Sequence, residues 1–162
     1  MISGEEAGRS KTWQREQWLP VLELSIREVF EVMLGSELES APGDRSPQAL
    51  EVTAMVGLAG SLCGVVTFRC GFETATRLAS IMLAREISDS DEQAGDAVGE
   101  VCNILAGNFK SKLLGLADRC VLSAPTVVTG ANYSVHSLAA QRLEKVFLFE
   151  GRPVSVALEL RM

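Results

Sequence analysis

The chain has 162 residues, enough for one domain with a substantial core, and its 47% hydrophobic and 22% charged residues are ordinary globular values. A formal net charge of −6 and a pI near 4.9 exclude the basic footprint that nucleic acid or an anionic membrane surface demands. Four cysteines, Cys63, Cys70, Cys102 and Cys120, have neither CxxC nor zinc-like spacing, so they read as free thiols packed as small hydrophobes. With His136 as the one histidine, no multi-histidine metal site is available and no metal ligand set is expected. A Ser-His-Asp or Cys-His centre finds no support in residue order or setting, and His136 reads as a surface or strand histidine.

Residues 1–13 are polar and aperiodic and read as a flexible N-terminal tail, with no apolar segment of the secretory kind. The apolar stretch Ala54–Phe68 is too short and glycine-rich to span a bilayer. A cytoplasmic protein without membrane insertion is expected, with residues 14–162 as a single domain. From Gln14 to Leu34, Trp18, Val21, Leu22, Ile26, Val29, Phe30 and Met33 recur at three- and four-residue steps, which predicts a helix that Gly35 ends. Residues 40–47, rich in Pro, Gly, Asp and Ser, predict a loop. Leu50–Leu58 and Leu62–Cys70 predict a hairpin turning near Ala59-Gly60-Ser61.

Glu73–Ile87 predicts a second helix with Ala75, Leu78, Ala79, Met82 and Leu83 inward. Residues 88–93 then offer N-caps and first-turn carboxylates to a third helix running to about Leu116. Three strands are expected afterwards: Cys120–Val128, Ser137–Phe149 and Val154–Leu160, the last two joined through Glu150-Gly151-Arg152-Pro153. The final strand alternates Val154, Val156, Leu158 and Leu160 against Ser155, Ala157, Glu159 and Arg161. Placed at an exposed edge, it would invite pairing between copies and a homodimer. A long helix followed by strands occurs twice, which points to an internal pseudo-repeat. The fold class is α+β, a mostly antiparallel sheet packed on one face by long helices.

The third helix carries the candidate site. At about 100° per residue, Asp96, Glu100, Asn103 and Gly107 fall within roughly 60° of one another, opposite Val98, Val101, Leu105 and Phe109. Polar residues opposite an apolar stripe are also what any surface helix shows, and acidic residues near its start complement the helix dipole. Two details set this helix apart. Asparagine is a poor mid-helix residue, and Gly99 and Gly107 each cost about 1 kcal/mol against alanine. Gly107, on the ridge itself, clears space for another backbone. Asn108 lies off the ridge and is expected to bond locally.

The pattern Asp96-xxx-Glu100-xx-Asn103-xxx-Gly107 resembles the D/S-xxx-E-xx-N signature of the CheC/CheX/FliY chemotaxis phosphatases. The glycine-punctuated hairpin from Val56 to Thr67 and the stretch Ser123–Gly130 are similar to segments of the same family, so the likeness runs from about Trp18 to Leu160. Members with two active helices repeat the signature in the first helix. Here that stretch is Ser25-Ile-Arg-Glu28-Val-Phe-Glu31, with Glu31 where asparagine is needed. One site is therefore expected, as in CheX. The resemblance implies hydrolysis of the aspartyl phosphate of a phosphorylated CheY-like response regulator, with the regulator bringing Mg²⁺ and a lysine and this chain binding no cofactor. It implies that Asn103 orients the attacking water and Glu100 pairs with the regulator's lysine, while Asp96 and Gly107 support docking. The alternatives are a non-catalytic binding module of the flagellar-switch type and, more weakly, a small-ligand sensor built on the glycine-rich hairpin.

Overall fold

The computed structural model describes residues 4–42, 50–88, 92–113, 115, 117–131, 133–135 and 141–161. His136, the residues 43–47 of the expected loop, the N-cap candidates Asp89, Ser90 and Asp91, the helix end at Leu116 and the strand start at Ser137 lie outside them.

Helix α1 (Gly4–Leu34) begins ten residues before its predicted start at Gln14, within the stretch expected as a tail, where Glu5, Glu6 and Ala7 are good helix formers. It ends at Gly35, whose φ of +60° turns the chain while the Ser36 N–H donates to Phe30 O at 3.1 Å. Glu39–Ser40, part of which was expected as loop, is a short strand β1. The predicted hairpin is β2 (Val52–Gly60) and β3 (Cys63–Cys70). Helix α2 (Phe72–Leu83) stops four residues before its expected end, because Ala84 adopts the left-handed conformation. Leu83, expected inward, is exposed there, whereas Ala75, Leu78 and Ala79 are buried.

Helix α3 (Glu92–Ser111) also ends earlier than expected. The expected strand 120–128 is two pieces, β4 (Cys120–Leu122) and β5 (Thr126–Thr129), both paired with β2. The break falls at Ser123-Ala124-Pro125, where proline has no N–H to donate. Ser123 stitches the gap: its N–H donates to Gly57 O at 2.9 Å and its Oγ accepts the Gly57 N–H at 2.8 Å. Strands β6 (Gln141–Phe149) and β7 (Arg152–Arg161) meet through Glu150 and Gly151 at φ 49° and 79°, the pair of positive values that a two-residue hairpin requires.

All pairings are antiparallel, in the order β1-β6-β7-β3-β2-β4, with β5 also on β2. The order carries the expected pseudo-repeat. Hairpin β2–β3 follows α1, hairpin β6–β7 follows α3, and the two hairpins meet through β3 and β7. The terminal strand is therefore central and not at an edge, which removes the basis for self-association through it. The sheet ends instead at β1 and at β4 and β5.

The helices cover one face, where Leu22, Ile26, Phe30, Phe68, Leu105, Phe109, Phe147 and Leu158 make one core. Cys70 and Cys102 belong to it, and burial pushes both thiols up, Cys102 to about 12, so they pack as neutral groups; Cys63 is exposed. On the opposite face, Ser155, Ala157 and Glu159 are also buried. Strands on both sides shield them, and their polar atoms are partnered. Ser155 Oγ donates to Glu144 at 2.7 Å, Glu159 pairs with Arg142, and Thr53 is hydrogen-bonded to Tyr133 at 2.6 Å.

Two glycines of α3 differ in what a side chain would meet. A Cβ at Gly99 would stand 2.9 Å from Val127 Cγ2, whereas one at Gly107 would meet nothing within 4 Å. Gly107→Ala is expected to raise stability by about 0.5–1 kcal/mol, and Gly99→Val to lower it by about 1–3 kcal/mol. Urea denaturation of both variants checks this; equal effects would contradict the packing of α3 on β5.

Candidate functional site

The inward face of α3 consists of Ala94, Ala97, Val98, Val101, Cys102, Leu105, Ala106 and Phe109. Gly95 and Gly99 let the helix lie close to β5, against Val127, Thr129 and Pro125. These contacts fix the rotation of the helix about its axis. They leave Asp96 and Glu100 exposed, with Asn103 and Gly107 half-buried along the same line. The four residues singled out from sequence are thus brought together on one outward ridge. Among the described residues, the side chains of Asp96, Glu100 and Asn103 have no hydrogen-bond or ion-pair partner. A carboxylate and a carboxamide, which combine acceptors with a donor pair, stand one turn apart and uncommitted.

The corresponding stretch of α1 is committed. Ser25 is fully buried and its Oγ donates to Val21 O at 2.7 Å. Glu28 accepts hydrogen bonds from Lys112 Nζ at 2.6 Å and Asn108 Nδ2 at 2.9 Å. Asn108 Nδ2 also donates to Ser25 O at 3.1 Å, and its Oδ1 accepts from Lys112 at 2.9 Å. Asn108 therefore ties α3 to α1 rather than bonding only within its own helix. Sequence reading missed this cluster, since Glu28 and Lys112 are 84 positions apart; the only signal was the partial motif around Glu28. Beside the cluster, Glu28, Val29, Val32, Met33, Ile104, Gly107 and Asn108 line a groove of about 460 Å³ between the two helices.

No three His, Cys, Asp or Glu side chains converge as metal ligands among the described residues. No helix among them is long and apolar enough to cross a membrane.

The family model described as "Chemotaxis phosphatase CheX" matches residues 52–148, more than half of the chain and the whole of α3. The chain belongs to the CheX family. The CheY-P phosphatase CheX of Thermotoga maritima is 31% identical over 87 residues, a match covering 53% of this chain and 56% of that relative. The chain thus aligns with little more than half the length of this CheX protein. The structure of the CheX-CheY-BeF3-Mg²⁺ complex from Borrelia burgdorferi is 28% identical at a TM-score of 0.76, over 90% of this chain and 99% of that one. FliY of Thermotoga maritima, 20% identical at 0.64 over 99% and 92%, shares the fold.

The hydrogen bond from Lys112, followed by that from Asn108, holds the Glu28 carboxyl below its ordinary value of 4.5. The folded protein therefore binds this proton more weakly than the unfolded chain. The stabilisation is present above about pH 4.5 and is lost as pH falls through the lowered midpoint. A carboxyl-carbon NMR titration should place Glu28 below 4.5 in the wild type and nearer 4.5 in Lys112→Met; an unchanged midpoint would show that Lys112 is not its partner.

Proposed function

We propose that this chain is a phosphatase that hydrolyses the aspartyl phosphate of a CheY-like response regulator in the cytoplasm, with the α3 ridge as its active face. The observation that carries the reading is the uncommitted Glu100 and Asn103 pair on a rigidly buried helix. Membership of the CheX family and similarity to a CheX solved together with CheY support it.

Phosphoryl transfer needs little covalent chemistry from the catalyst and depends on placing an in-line nucleophile and compensating charge. The half-buried Asn103 amide holds a water with its carbonyl oxygen accepting one water proton, so that the water's lone pair faces phosphorus. As the new P–O bond forms, the bond to the aspartyl oxygen breaks; the carboxylate leaves, and the water's proton passes to the phosphate product or to solvent. A carboxylate beside the phosphoryl group would repel it, so Glu100 pairs with a lysine of the regulator, fixing the approach. Asp96 supports docking one turn earlier, and Gly107 leaves room for the regulator's backbone. Mg²⁺ bound by the regulator, rather than by residues of this chain, would offset phosphoryl charge there. The site needs no protein nucleophile, because water attacks phosphorus and the regulator's aspartyl carboxylate is the leaving group.

The reading is tested by adding the protein to response regulators charged with acetyl phosphate and following the loss of phosphate. Wild type should accelerate decay for at least one regulator, and Asn103→Ala should lose about 10²-fold of that acceleration with an unchanged melting curve. Full activity in Asn103→Ala would remove the water-positioning role, and no acceleration of any regulator would leave a binding module.

A further inference from the structure

Resting on the phosphatase reading above, we infer that the α1–α3 groove beside the ridge is a second contact surface for the response regulator, seating apolar side chains next to its phosphorylation site. Gly107 belongs to both features: it lies on the ridge with Asn103 and it lines the groove. It stands about 6 Å along the helix from Asn103, and packed helix axes are about 8–10 Å apart. A standard protein interface covers about 800 Å² on each partner, a patch roughly 16 Å in radius. Any interface of that size centred on Asn103 covers the groove as well, so the regulator that reaches the ridge is the occupant.

The chemistry of the groove fits apolar contact. Val32 is 83% exposed and Met33 37% exposed, with Val29 and Ile104 between the helices. The polar groups there are paired with one another. Glu28 is held by Lys112 and Asn108, and both ends of the Asn108 amide are engaged. Nothing in the groove calls for a charged ligand, whereas the neighbouring ridge presents two free carboxylates, Asp96 and Glu100. A Cβ at Gly107 would meet nothing within 4 Å, so the passage from ridge to groove is open to a partner's backbone. The ridge then acts on the phosphoryl group, and the groove supplies the non-polar area that holds the complex together.

The test is the split between KM and kcat for Val32→Glu and Val32→Lys, using the acetyl-phosphate-charged regulator that the wild type dephosphorylates. Val32 is exposed, so both variants should fold, which circular dichroism checks. Each should raise KM about tenfold or more with kcat within twofold of wild type. An unchanged KM in both variants, with wild-type hydrolysis intact, overturns the groove and leaves the phosphatase reading standing. A weakened Glu variant with a tightened Lys variant overturns apolar contact in favour of charge. A change in sedimentation mass with no change in KM assigns the groove to a second copy of the chain and also overturns it. Absence of hydrolysis by the wild type removes both readings.

Discussion

The close approach of α3 to the sheet is the constraint on which the site depends. A helix can rotate about its axis unless something on the facing surface forbids it. Here the backbone at Gly99 lies so near Val127 that a β-carbon there would be 2.9 Å from a methyl group, while the opposite flank carries the buried Ala97 and Val101. With both flanks set, Glu100 and Asn103 have no freedom to turn inward. Binding energy from a partner need not be spent ordering the helix that carries them, which is what pre-organisation requires. The cost of glycine in a helix falls where close packing needs it, at Gly99, and where the surface is left bare, at Gly107.

The two halves of the sheet topology are alike in element order, but their helices use their polar residues differently. On α3, a carboxylate and a carboxamide are left without internal partners. On α1, the comparable carboxylate, Glu28, is bound by a lysine and an asparagine that both come from α3. Glu28 thereby joins the two helices, and the stretch that would have been an active face becomes a structural seam.

Most of the fold was legible because its signals are local. The periodicity of α1, the glycine at its end, the alternation of β7 and the turn at Glu150-Gly151 each follow from backbone sterics within a few residues. The ridge was legible for the same reason, as helical spacing alone collects Asp96, Glu100, Asn103 and Gly107. What escaped depends on contacts distant in sequence. Alternation in β7 says which residues share a face but not whether the strand is central, so it could not show that Ser155, Ala157 and Glu159 are buried in a strand flanked on both sides. The left-handed turn at Ala84 is carried by a residue with no turn preference. The seam from Asn108 and Lys112 to Glu28 needed the packing of α1 on α3, which no local pattern encodes.

The central claim is that the ridge positions a water and does more than bind. The direct measurement is the affinity of Asn103→Ala for the phosphorylated regulator, read alongside the lifetime of the phosphoryl group within that complex. The account predicts wild-type affinity with a phosphoryl group that survives at the regulator's own intrinsic rate, so that the complex accumulates. Loss of affinity, with phosphate still released at the wild-type rate from whatever complex forms, would contradict it.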